Sequence, residues 1–239
     1  MGNITYKAQE YSDSKQLPFR IEVEKYTLFS LFPDVTGRKV IDVGCGEGIY
    51  SRALVDLGAV HVIGVDGAAD FIELARKKNV GYEGKIEYHY KLIQDFQGQG
   101  DRDLAVGSYV LSNPINLEEA VAYCKSINAC LREGGRFVGF NNNPFEVFDG
   151  VRYAEYSFQK EMHGDTEGGE VIYRVLGMSN PIINFYLKPQ TYEKAFREAG
   201  FSGFSWRRIS LNPTNEQGEA YWRNLFANEP PFIAMLAEK

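Results

Sequence analysis

The sequence predicts an α/β protein built on a doubly wound, seven-stranded sheet, and three observations carry that expectation. Short apolar runs rich in β-branched residues alternate with segments whose apolar residues recur at helical spacing. The first such run is followed at once by a cluster of glycines. A chain of 239 residues, 44% hydrophobic and 24% charged, is long enough to cover both faces of one sheet.

The first strand is Lys39–Val43, and Gly44-Cys-Gly-Glu-Gly48 turns the chain after it. Ile49, Ala53, Leu54 and Leu57 then fall on one helical face, which Gly58 ends. His61–Val65 is the second strand, closing at Asp66. This strand–helix–strand length suits a crossover between parallel strands. Phe71, Ile72 and Ala75 mark the next helix, Ile86–Tyr90 the third strand and Leu104–Leu111 the fourth. Ala120, Cys124, Ile127 and Leu131 give a further helix face, and Gly134-Gly135 is expected to break that helix before a fifth strand over Arg136–Phe140. A helix over Tyr192–Ala199, a sixth strand over Phe204–Ile209 and a seventh over Phe232–Ala237, inserted at the edge, complete the set.

Three regions fall outside the alternation. Residues 1–35 precede the first strand and hold a helix from about Arg20 to Phe32, read as an N-terminal helical lid. Residues 144–187 are an aromatic β insertion, in which Tyr156–Met162 and Glu170–Val175 flank a glycine-rich stretch like the arms of a hairpin. Residues 211–231 carry three prolines and a short helix with Tyr221, Trp222 and Phe226. The chain thus reads as one domain, 1–239. The lid is 1–35, the binding core 36–143, the substrate insertion 144–187, and 188–239 returns to the core.

Twenty-six Lys and Arg against 32 Asp and Glu give a net charge of −6, so neither nucleic acid nor a membrane surface is an expected partner. Cys45, Cys124 and Cys130 are odd in number and form no C-x-x-C pair; with no apolar leader or membrane span in the sequence, a cytoplasmic setting is expected. His61, His89 and His163 are scattered without ligand spacing, and no metal is expected. The expected partner is a small molecule, and the protein a monomer or homodimer.

The glycine turn has a physical use, because it lets the backbone approach a ligand closely while the next helix offers free N–H groups. Asp66, 24 residues after Asp42 at the end of the second strand, is placed to accept from ribose hydroxyls. The spacing is G-x-G-x-G, not the dinucleotide G-x-G-x-x-G, and no G-K-[ST] follows. Val40-Ile-Asp-Val-Gly-Cys-Gly-Glu-Gly48 resembles motif I of the class I S-adenosylmethionine-dependent methyltransferases, and Gly64-Val-Asp66 resembles their ribose-binding strand end. Leu131-Arg-Glu-Gly-Gly-Arg-Phe137 and Phe196-Arg-Glu-Ala-Gly-Phe201 are similar to later parts of the same Rossmann-like family, so that the resemblance spans about Lys39 to Ile209.

The resemblance implies S-adenosyl-L-methionine as cofactor. Gly44 and Gly46 would line its methionine part, with Cys45 between them among the cofactor contacts, Asp66 would take the ribose, and Gly67 would lie beside the adenosine. Leu92 stands where the family commonly has an acidic adenine contact, which therefore passes to Gln94, Asp95 or the backbone of Ile93. Ser108 joins the cofactor contacts. Tyr11 and Arg20 belong to the closing lid, Arg20 meeting a carboxylate such as that of the cofactor.

Tyr11-Ser-x-Ser-Lys-Gln-Leu-Pro18-Phe-Arg20, Asn141-Asn-Asn-Pro144 and Tyr221-Trp222 resemble a small-molecule subgroup that includes the toxoflavin-forming N-methyltransferases. The implied reaction is N-methylation of a small planar heterocycle of the azapteridine type. The alternatives are O-methylation of a small phenol or carboxylate, or a non-catalytic module that binds S-adenosylmethionine. Tyr6, Asn113, Asn141, Asn143, Tyr186 and Trp222 are the candidate substrate contacts, with the asparagines either reading the edge of a heterocycle or only turning the chain. In-line displacement at a sulfonium depends mainly on proximity and orientation in a dry pocket. A general base matters only if the acceptor must lose a proton, and His163 or His89 would then serve; each also reads simply as a surface or strand residue.

Overall fold

The computed structural model describes residues 7–227 and 229–239. The chain opens with α1 (Ala8–Ser14), followed by a π-helical stretch (Phe19–Lys25) that runs into α2 (Tyr26–Leu31). Next come β1 (Lys39–Val43), α3 (Ile49–Asp56), β2 (His61–Asp66), α4 (Ala69–Lys77), β3 (Ile86–Tyr90), β4 (Arg102–Ser108), α5 (Leu117–Cys130) and β5 (Leu131–Asn142). The insertion supplies β6 (Asp149–Arg152), β7 (Phe158–His163), β8 (Glu170–Val175) and β9 (Ile182–Phe185). The chain then closes with α6 (Pro189–Glu198), β10 (Gly203–Arg207), α7 (Glu219–Phe226) and β11 (Phe232–Glu238).

Seven strands form one sheet in the order β3-β2-β1-β4-β5-β11-β10, the first five parallel and β11 antiparallel to both neighbours. This is the Rossmann-like doubly wound architecture that the alternation predicted. Strand residues alternate between two cores. Val40, Val62, Leu104 and Val106 meet Leu28, Leu54 and Ile72 on one face, while Ile41, Val43 and Ala105 meet Ala120, Ile127 and Phe196 on the other.

Four details differ from expectation. Gly134-Gly135 lies inside β5, because α5 already ends at Cys130; Gly134 (φ +71°) sits within a register shift against β4 between Arg102 and Leu104. The seventh strand is not at the edge: β11 pairs along seven residues of β5 and leaves β10 outermost. The fourth strand stops at Ser108, since Tyr109 takes a left-handed conformation (φ +61°) that starts a short 3₁₀ turn. The insertion forms a complete antiparallel sheet, β6-β7-β8-β9, rather than one hairpin, and its Phe158, Met162, Val171, Tyr173 and Val175 face the first core.

The turn from β1 into α3 depends on glycine. Gly48 has φ +80°, and a Cβ there would lie 2.2 Å from the Tyr88 hydroxyl oxygen. Gly48→Ala is expected to destabilise the protein by about 1–3 kcal/mol, read as a lower urea midpoint at unchanged slope.

Candidate active site

From β1 the sheet grows through β2 and β3 in one direction and through β4 and β5 in the other, which opens a crevice at the carboxyl ends of β1 and β4. A cavity of about 580 Å³ lies there, bounded by the glycine turn, the lid, β8, β9 and Phe232 of β11. Gly44 (φ +69°) brings its backbone against Val110, whose Cβ would be 3.1 Å from an added Cβ. The N–H groups of Gly44 and Cys45 both donate to the Val65 carbonyl, at 2.8 and 3.1 Å, so the turn is fixed on β2.

Asp66 extends that bracing. Its two carboxylate oxygens accept from Gly46 N at 2.8 Å and Ala68 N at 2.9 Å, and burial raises its pKa. Each oxygen has a second lone pair, so the carboxylate keeps acceptor capacity toward the cavity. Asp42 accepts from Ser51 Oγ at 2.6 Å beneath the turn, and burial pushes its pKa up to about 6. Burial likewise pushes the Cys45 thiol up, so it is not an activated thiolate.

The lid is tied down by Glu24, which is wholly buried in the π-helical stretch. Lys15 Nζ and Arg20 Nη1 donate to it at 2.5 and 2.6 Å, Tyr50 Oη at 2.6 Å and Ser108 Oγ at 3.1 Å. Lys15 and Arg20 are also buried. Lys15 lies over the rings of Tyr11, Tyr50 and Tyr109, and Arg20 over those of Tyr11, Phe19 and Tyr109. Burial alone would raise the Glu24 carboxyl, but the charges of the two cations hold it far below the usual carboxylate range. Two cations against one carboxylate leave this cluster one positive charge in excess, and Arg20 Nε is buried without a hydrogen-bond partner among the described residues.

The predicted cofactor contacts Tyr11, Arg20, Gly44, Cys45, Gly46, Asp66, Gly67, Ile93, Gln94 and Ser108 all line this one cavity, as does Asn113. Gln94 brings a buried side-chain oxygen with no partner among the described residues, and Leu92 packs on Gly67, where an added Cβ would meet its Cδ2 at 2.5 Å. Four predicted substrate contacts lie off the cavity wall. Asn141 is fully buried between Ser112 and Tyr192, Asn143 holds the Pro230 carbonyl, Tyr186 reaches the Pro144 carbonyl, and Trp222 stacks on Tyr156 while donating to Asn215. Tyr6 lies outside the described residues. Neither histidine lines the cavity: His163 is exposed between Asp149 and Glu161, which raise its pKa, and His89 packs edge-on against Phe96. Sequence reading passed over Lys15, Glu24, Tyr50 and Tyr109. The i,i+4 spacing of Arg20 and Glu24 was a usable signal, but the meeting with Tyr50 and Ser108 was not.

Residues 40–135 match the family model of the methyltransferase domain. The match places a methyltransferase domain over that segment. The ubiquinone biosynthesis O-methyltransferase of Bordetella avium is 25% identical over 203 residues, 83% of this chain and 75% of that protein. Two solved structures share the fold. An S-adenosylmethionine-dependent methyltransferase from Mesorhizobium loti superimposes with TM-score 0.68 at 17% identity, covering 95% of this chain and all of the other. One described as a putative enzyme of the same kind, from Listeria monocytogenes, also gives 0.68 at 18% identity, covering 90% and 96%.

Removing the Glu24 charge strands two buried cations. Glu24→Gln is expected to destabilise the protein by about 3–5 kcal/mol at pH 7 in urea unfolding. The folded pKa of Glu24 lies below its unfolded value of roughly 4.3, so its contribution is complete above the unfolded value and is lost progressively as the pH falls from there through the folded value. The gap between wild type and variant should therefore narrow below about pH 4.

Proposed function

We propose that the whole chain works as one methyltransferase domain that moves a methyl group from S-adenosylmethionine to a small planar heterocycle, by N-methylation of an azapteridine-like, toxoflavin-type acceptor. Residues of the cavity fit the cofactor. The excess positive charge at Lys15 and Arg20, with the unpartnered Arg20 Nε, suits its carboxylate. The spare acceptor capacity of Asp66 suits ribose hydroxyls, and the unpartnered oxygen of Gln94 suits the adenine amine. Bound there, the cofactor supplies a methyl group on a sulfonium.

The observation that carries the choice of acceptor is the wall formed by the lid, β8, β9 and β11. Beside the lid residues Tyr11, Lys15 and Arg20 it presents Phe19, Tyr173, Val175, Ile182, Ile183, Asn184 and Phe232, with no carboxylate or histidine among them; the carboxylates that line the same cavity, Glu47, Asp66, Asp70 and Glu119, belong to the glycine turn, β2, α4 and α5. Tyr173, and Tyr109 beside it, have pKa values raised by burial, and Glu24 is locked between cations. Among the described residues no group on that wall is ready to take a proton, which favours a nucleophile that is already unprotonated, such as a ring nitrogen. The chain's own part is then to hold the acceptor in line and keep water out, an effect of up to roughly 7–11 kcal/mol.

A second reading, O-methylation of a small phenol, is favoured by the name of the Bordetella avium relative. Measuring demethylated cofactor formed with matched ring-nitrogen and phenol acceptors separates the two: turnover with the nitrogen acceptors alone is expected, and turnover with phenols alone would replace the first reading by the second. Binding of S-adenosylmethionine without turnover on any acceptor would favour a non-catalytic module. Asp66→Ala should weaken S-adenosylmethionine binding by about 1–3 kcal/mol in calorimetry, and unchanged affinity would remove Asp66 from the site.

A further inference from the structure

A chain of side-chain hydrogen bonds behind the far wall fixes the direction of one amide. Tyr173, on β8, donates its hydroxyl to Asn142 Oδ1 at 2.8 Å, and Asn142, the last residue of β5, donates its Nδ2 to Asn184 Oδ1 at 3.3 Å. Tyr173 and Asn184 line the cavity, whereas Asn142 is buried behind them. With its oxygen turned to Asn142 behind the wall, the Asn184 amide is oriented so that its NH₂ group lies on the opposite side. One of those hydrogens meets the Ile183 carbonyl at 3.4 Å; the other has no partner among the described residues.

This donor stands in apolar surroundings, with Val175, Ile182, Ile183 and Phe232 on the same wall. A donor in such a place discriminates strongly. A ligand without an acceptor leaves it unpaired and desolvated, while a ligand with one recovers the hydrogen bond. The Asn142 relay makes the discrimination directional, since it prevents the Asn184 amide from turning its oxygen outward.

We propose that Asn184 is the specificity-determining residue of the acceptor subsite, where its Nδ2 donates to a ring carbonyl or ring nitrogen of a flat, neutral substrate. Asn142 and Tyr173 are its positioning residues. The inference rests on the reading that this cavity takes a planar acceptor beside S-adenosylmethionine. It narrows that acceptor to compounds carrying a hydrogen-bond acceptor on the edge that faces β9.

The test titrates lumazine, a flat pteridine-dione with ring carbonyls and ring nitrogens, by its own fluorescence into the full-length protein, with and without saturating S-adenosylhomocysteine. Wild type should bind it. Asn184→Ala should weaken binding about tenfold and leave S-adenosylhomocysteine affinity unchanged. Asn184→Asp, of nearly the same shape but without the donor, should weaken it at least as much, and carries the test should the alanine variant not fold. Tyr173→Phe should weaken lumazine binding in the wild-type background and have no further effect in the Asn184→Ala background, as expected of a residue that acts through Asn184. Wild-type lumazine affinity in a folded Asn184 variant, an additive Tyr173 effect, or no lumazine binding by wild type would each overturn the proposal. Lumazine bound by a wild type that fails to bind S-adenosylhomocysteine would count against the methyltransferase reading and leave the subsite standing.

Discussion

One buried carboxylate joins the N-terminal segment to the sheet. Glu24 gathers Lys15 and Arg20 from the lid, Tyr50 from α3 and Ser108 from the end of β4, so that a segment outside the sheet becomes a wall of the crevice inside it. Charges this far from water are tolerated only when paired and hydrogen-bonded, and here the pairing is incomplete by one unit. The same cluster therefore does two things. It fastens the N-terminal segment, and it leaves a positive centre flanked by the rings of Tyr11, Phe19 and Tyr109.

The sheet sets the geometry on which that cluster acts. Parallel strands place their carboxyl ends on one edge, and the reversal of strand order between β1 and β4 opens that edge into a crevice. Backbone donors of Gly44 and Cys45 fix the glycine turn to Val65 of β2, and Asp66, the next residue of the same strand, accepts from Gly46 N–H. On the opposite side the antiparallel insertion contributes an apolar wall, with Tyr173 stacked on Phe232 at 6.0 Å between ring centroids. The cavity is thus polar beside the glycine turn and the lid cations and apolar beside the insertion.

How far the site was legible in the sequence differed between its two halves. Of the ten residues expected to hold the cofactor, seven fall in contiguous stretches, Lys39–Gly48, Gly64–Gly67 and Ile93-Gln94, at or just after strand ends, where apolar periodicity stops and glycine begins. All ten line one cavity. The acceptor half was not readable in this way. Asn141, Asn143, Tyr186 and Trp222 have the residue types of a substrate wall, yet each is consumed by a structural partner, and Asn184, which stands on the wall, has nothing in its neighbourhood to single it out. Aromatic and amide side chains serve cores and ligands alike, so residue type alone does not separate the two.

By itself the sequence determined the alternation of strands and helices, the turn that needs glycine at positive φ, and the acidic residue at the end of the second strand, because these depend on interactions between residues close in the chain. Only the tertiary structure decided that β11 lies between β5 and β10, that the insertion closes a four-stranded sheet over the crevice, and that Glu24 meets Tyr50 and Ser108. Those contacts join residues 26 to 84 positions apart, and nothing in local propensity encodes such a meeting. It arises when burial of apolar surface brings the segments together and every charge buried with them must find its partner.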